Sequence, residues 1–150
     1  MNEKSIYTLG TSDRSIKEFL DVLREYEIQR VIDVRRFPTS KFAHFKKENL
    51  LSMLESKGFL YSYSGDTLGG YRAGGYKSYM ETDPFQKALD RVERMAETES
   101  SVIVCAERLP WRCHRRFIAD RLRARGRSVI HIIEANKTWE PEEQLDFLKD

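Results

Sequence analysis

Five short apolar runs, at residues 6–9, 31–34, 59–63, 102–105 and 129–133, are separated by stretches with the spacing of amphipathic helices. No other property of the chain narrows its fold as far. Several of the runs, Val102-Ile103-Val104 most clearly, are continuously apolar rather than alternating, as in strands covered on both faces. Strands and helices in alternation predict an α/β domain, a three-layer sandwich on a mainly parallel five-stranded sheet with right-handed crossovers. At 150 residues the length is that of one domain. We read residues 1–150 as that single domain, with residues 133–150 as a C-terminal extension carrying a short helix, begun by Pro141, packed on it.

Ile16, Phe19, Leu20, Leu23 and Tyr26 recur at helical spacing behind a Ser15/Glu18 capping box. A second helix is expected over residues 46–57, stopped by Gly58. A third is capped by Asp83 with Pro84 in its first turn, and buries Phe85, Ala88, Leu89 and Val92. A fourth starts near Arg112 and stops at Gly126. Before the third helix, residues 64–82 hold five glycines interleaved with Tyr71, Tyr76 and Tyr79. A connection so long is uncommon in a compact domain, and it reads either as a lid or as a loosely packed surface loop.

Parallel sheets bind ligands outside the carboxyl ends of their strands. Thr11 and Ser12, Asp33 and Arg35, Asp66, and Cys105 and Glu107 follow the first four strands, and Cys113, His114 and Arg115 open the fourth helix. The fold would gather these distant residues at one rim. In the first turn of a helix and beside Arg112 and Arg115, Cys113 would be favoured as a thiolate. That makes it the first candidate nucleophile, with His114 and Glu107 as acid–base partners. Cys105 is the second candidate, or a structural residue, since it ends a buried strand. Arg35 and Arg115 suit an anion. Asp33 beside Arg35 fits either the site or a tie between loops. Cys105, Cys113 and His114 match no common zinc spacing, so no metal site is assigned. The distance from Cys105 to Arg112 is one residue too long for a cysteine–arginine phosphate loop.

The net charge is only +2, but eight arginines face two acids between positions 105 and 127, while residues 134–150 are acidic. This favours an anionic small molecule or a nucleic acid as partner, and weakens the case for a dedicated DNA binder. Arg36, Phe37, Lys41, Phe42, His44, Phe45 and Lys46 mix cations with rings, as in base-stacking surfaces or in a loop whose phenylalanines plug the core. No apolar run approaches the roughly 18 residues of a membrane span. The N-terminus lacks a secretory pattern, so a cytoplasmic location with reduced thiols is expected. No cofactor and no oligomeric state follow from the sequence.

Thr8-Leu9-Gly10-Thr11-Ser12, Asp33-Val34-Arg35-Arg36-Phe37-Pro38-Thr39-Ser40, Leu68-Gly69-Gly70, Tyr79-Met80 and the series Cys105-Ala106-Glu107, Cys113-His114-Arg115, Ile118-Ala119 together resemble the domain of unknown function 488 (DUF488) family. The resemblance runs to about Ile133. It implies a single α/β domain and a shared site at the rim positions, with Gly69 and Gly70 joining Thr11, Ser12, Asp33, Arg35 and Arg115 as substrate-binding candidates. Members of that family often carry His-Ser where this chain has Thr11-Ser12. The resemblance implies no particular activity. Three readings follow: a thiol enzyme acting on a phosphate-bearing or nucleic-acid-related substrate, a non-catalytic nucleic-acid module, or a metal-binding or redox-sensing protein using Cys105 and Cys113.

Overall fold

Strand β4 (Ser101–Cys105) is buried at every position, as a central strand flanked by helices on both faces must be. In the computed structural model, which describes residues 5–38 and 40–140, β4 lies between β1 (Ile6–Gly10) and β2 (Arg30–Asp33). The sheet has six strands in the order β3-β2-β4-β1-β5-β6, where β3 is Leu60–Tyr63, β5 is Val129–Glu134 and β6 is Lys137–Trp139. The first five run parallel and β6 is antiparallel to β5.

The parallel five-stranded core of the expectation therefore stands, with one strand added. Lys137–Trp139 is too short and too polar to show a period, and it forms by pairing Glu134 with Lys137 across a turn. The presumed extension thus begins inside the sheet. The helix expected from Pro141 lies outside the described residues.

Pleating sends successive side chains of β4 to opposite faces. Val102 and Val104 join Leu9, Val31, Phe19, Leu23, Leu50 and Leu54 in one core, under α1 (Ile16–Glu25) and α2 (Lys47–Ser56). Ile103 and Cys105 join the other. There they meet Phe85, Leu89 and Val92 of a long helix (Asp83–Thr98), and Ile118 and Leu122 of the last one (Arg115–Ala124). Full burial of each such side chain contributes about 1.5–3 kcal/mol.

Between β3 and the long helix the chain forms two single-turn helices, α3 (Gly65–Leu68) and α4 (Tyr76–Tyr79), so the long helix is α5 and the last α6. This segment is stitched down. The Tyr76 hydroxyl donates to the Leu68 carbonyl (2.8 Å) and the Tyr79 hydroxyl to that of Thr67 (2.7 Å). Arg72 donates to the carbonyls of Gly69 (2.9 Å) and Asp66 (2.6 Å). The tyrosines fasten the connection to backbone carbonyls, so it is not the loosely packed surface loop of the sequence reading.

Helix ends follow local chemistry. Ser15 Oγ accepts from the Glu18 N–H (3.0 Å), half of the expected capping box, while the Glu18 carboxylate accepts from Arg14 instead (3.1 Å). Thr82, not Asp83, caps α5. Gly126 follows α6 at φ +93°, which favours glycine.

Candidate functional site

At the carboxyl edge, β1 and β4 stay in register to their last residues, Gly10 beside Cys105. Beyond them the Thr11 N–H donates to the Cys105 carbonyl (2.7 Å) and the Ser12 N–H to that of Ala106 (2.8 Å). The two chains run so close that a Cβ at Gly10 would overlap the Glu107 carbonyl. On the other side, the Val34 N–H donates to the Val104 carbonyl (3.0 Å). These bonds hold three loops around one cleft of about 1060 Å³.

Eight of the twelve residues singled out from sequence line that cleft: Thr11, Ser12, Arg35, Gly70, Cys105, Glu107, Cys113 and His114. Asp33, Gly69 and Arg115 sit behind its wall. A Cβ at Gly69 would overlap Arg36, and one at Gly70 would stand 3.4 Å from His114 Nδ1, so this pair lets the 65–72 segment press against both neighbours. Asp66 is exposed and does not line the cleft.

Cys113 departs from its expected place. Pro110 starts a single 3₁₀ turn (Pro110–Arg112), Cys113 is extended (φ −130°, ψ 147°), and α6 begins only at Arg115 with His114 as its N-cap. Cys113 therefore precedes the helix instead of lying in its first turn, although its sulfur still accepts from the first helical N–H, that of Arg115 (3.5 Å). The Cys105 and Cys113 sulfurs touch. Their Cα atoms are 7.6 Å apart, beyond the roughly 4.4–6.8 Å that a disulfide spans without backbone movement. The pair is therefore two facing cysteine sulfurs. His114 Nδ1 lies 3.8 Å from the Cys113 sulfur. Burial holds the His114 imidazole down to about 4, with Arg115 and Arg72 adding to the effect and the Val34 backbone opposing it. The ring is thus neutral near pH 7 and can accept a proton.

The arginines divide by partner. Arg35 clamps Asp33 through Nε (2.9 Å) and Nη2 (2.8 Å), and its third nitrogen donates to the Phe45 carbonyl. Burial pulls its pKa down, but the Asp33 bonds outweigh it and the net shift is upward. The Tyr61 hydroxyl completes the clamp on Asp33 (2.6 Å), and burial followed by the Asp33 charge pushes that phenol up. The Asp33/Arg35 pair thus ties loops together, while Arg35 also lines the cleft. Arg115 is wholly buried and its donors also face inward. It bonds Thr8 Oγ1 (3.0 Å), the Cys105 sulfur (2.8 Å), and the carbonyls of Glu107 (2.5 Å) and Arg108 (3.1 Å). Both guanidiniums thus spend most of their donors on protein groups, and of the two only Arg35 lines the cleft.

Besides Arg35, the cations that line the cleft are Arg36, Lys41 and Arg112. Arg36 leans on the carbonyls of Gly70 (3.4 Å) and Tyr71, and Arg112 has no side-chain partner among the described residues. Phe37, Phe42 and Tyr71 line the same space. The 36–46 segment is thus split: Phe45 plugs the core, His44 donates to the Arg14 carbonyl (2.8 Å), and Phe37 and Phe42 remain with the cleft. Sequence reasoning missed Thr8 and Arg14. A threonine within an apolar strand was a readable signal for the first. Arg14, buried and bonded to the Gly10 (2.7 Å) and Ile133 (2.5 Å) carbonyls, carried none.

A family model described as a domain of unknown function, DUF488, matches residues 15–122. The chain belongs to the DUF488 family. No curated protein and no solved structure matches it. The DUF488 match takes in the Asp33/Arg35 clamp, Gly69, Gly70 and both cysteines, and it starts after Thr11 and Ser12. No helix among the described residues is long and apolar enough to cross a membrane.

Proposed function

We propose that this DUF488 chain is a thiol-dependent enzyme acting on a phosphate-bearing or nucleic-acid-related substrate. One observation carries the reading: two facing cysteine sulfurs and a neutral imidazole open on the same cleft as Arg36, Lys41 and Arg112. The cations hold the anion, a sulfur supplies the nucleophile, and His114 takes or returns a proton. Glu107, exposed at the cleft's edge, is the second acid–base group.

A second reading, a binding module without catalysis, is favoured by the Phe37 and Tyr71 rings. They are 63% and 84% exposed, with centroids 5.9 Å apart, and suit stacking on an unpaired base. The contact between the sulfurs favours a third, redox sensing by the cysteine pair.

Short 5′-phosphorylated single-stranded oligonucleotides separate the first two. In the enzyme reading, Cys105→Ser or Cys113→Ser abolishes turnover and spares binding, whereas Arg36→Ala with Lys41→Ala and Arg112→Ala removes binding. Salt-dependent binding with no product formed by the wild type selects the module. Absence of both binding and turnover rejects the nucleic-acid form of the proposal, and free nucleotides and sugar phosphates then test the small-anion form.

A further inference from the structure

Arg115 presents an imbalance of charge that the rest of the fold does not settle. Its side chain is wholly buried, and no carboxylate pairs with it among the described residues. Three of its acceptors are neutral oxygens, those of Thr8, Glu107 and Arg108. The fourth is the Cys105 sulfur, 2.8 Å from Nη1. Other buried arginines here do have an acid: Arg35 has Asp33, and Arg14 has Glu18. A guanidinium stays protonated at any physiological pH, and burying it unpaired is costly. Of the four acceptors, only a cysteine sulfur can itself become an anion.

We infer that Cys105, rather than Cys113, is the thiolate of this site, with Arg115 as its counter-ion and positioning residue. This rests on the thiol-site reading above and names the sulfur within it. The Cys113 sulfur faces no guanidinium. It accepts from the Arg115 backbone N–H (3.5 Å), and its other neighbours are His114 Nδ1 (3.8 Å) and the Cys105 sulfur.

The groups around the pair favour the same assignment. Burial first and Arg14 second lower the Arg115 guanidinium to about 9, against a smaller opposing effect of Glu107, and a facing anion relieves that penalty. His131, joined to Thr8 Oγ1 (2.5 Å), is held neutral by burial and so adds no competing cation. Asp33 is occupied by Arg35 and offers Arg115 nothing. The assignment leaves Cys113 as the neutral neighbour of the pair.

Two single-thiol proteins test it. Cys113→Ser keeps only Cys105, and Cys105→Ser keeps only Cys113. Thiolate absorbance in the far ultraviolet, followed against pH, needs no reagent to reach the buried sulfur. We expect the Cys105 midpoint at least about one pH unit below the ordinary thiol value of about 8.5, a tenfold gain in thiolate, and the Cys113 midpoint above that of Cys105. In the Cys113→Ser background, Arg115→Gln should return the midpoint to the ordinary range, and Arg115→Lys should keep part of the lowering. A Cys105 midpoint at or above the ordinary value overturns the inference. So does a lowered midpoint that Arg115→Gln leaves in place in folded protein. If Arg115→Gln does not fold, the order of the two single-thiol midpoints decides. The enzyme proposal fails separately, on retained turnover in Cys105→Ser, whatever the midpoints are.

Discussion

Replacing Asp33 by alanine removes one end of the clamp that sets the cleft's wall. The carboxylate, wholly buried, accepts from Arg35 Nε (2.9 Å), Arg35 Nη2 (2.8 Å), the Arg35 backbone N–H (3.1 Å) and the Tyr61 hydroxyl (2.6 Å). Arg35, only 5% exposed, would be left charged with the Phe45 carbonyl as its remaining partner. Breaking a buried pair in this way costs about 3–5 kcal/mol. For a domain of this size each kcal/mol lowers Tm by about 2–4 °C, so a fall of roughly 6–20 °C is expected. Urea unfolding at neutral pH measures the free energy, and a thermal melt measures the shift. Lys17→Ala is the control. It breaks an exposed helical pair with Asp21 (2.8 Å) and should cost less than about 0.5 kcal/mol. A loss below about 1 kcal/mol for Asp33→Ala would refute the clamp.

Other substitutions test other parts of the account. Gly10→Ala should destabilise by more than about 2 kcal/mol or prevent folding, since its Cβ meets backbone that cannot move aside, and soluble yield with urea unfolding would show it. Tyr76→Phe should cost about 1 kcal/mol by urea unfolding and loosen the 65–79 segment in hydrogen exchange. His131 is held at about 3, by burial and then by Arg115 and Arg123, against 6.5 for a free histidine. A lowered folded pKa means that the unfolded chain takes the proton first as pH falls. Stability should therefore drop from pH ~6.5 downward, by about 2–3 kcal/mol at pH ~4.5 from this ring alone. His131→Asn should remove that part of the slope, and equal slopes in the two proteins would contradict it. Phe37→Ala with Tyr71→Ala should weaken oligonucleotide binding several-fold while changing stability by under about 1 kcal/mol, because both rings are exposed.

The sheet was legible because its strands are simple. Val102-Ile103-Val104 can be buried on both faces only in a central strand, and Phe19, Leu20 and Leu23 can share a face only on a helix. The rim followed from topology, which brings Thr11, Cys105 and His114 together across more than a hundred positions of chain. What escaped depends on tertiary partners. Arg115 reads as an anion-binding group at the rim, and its burial, made tolerable by Thr8, Cys105 and two carbonyls, leaves no mark in the sequence. Cys113 reads as helical, but the turn begun by Pro110 delays α6 by three residues, from Arg112 to Arg115. The glycine–tyrosine connection looks mobile by composition, yet the tyrosine hydroxyls reach backbone carbonyls and hold it down.

The central claim is that the sulfurs and the cations serve one ligand in one cleft, and alkylation protection tests it most directly. The protein is treated with iodoacetamide with and without a 5′-phosphorylated single-stranded oligonucleotide, and modification of Cys105 and Cys113 is followed by mass spectrometry. The account predicts that the oligonucleotide slows modification of both cysteines, that added salt abolishes the protection, and that Arg36→Ala with Arg112→Ala does the same. Tight binding that leaves both sulfurs as reactive as in the free protein would place the ligand elsewhere and contradict the account.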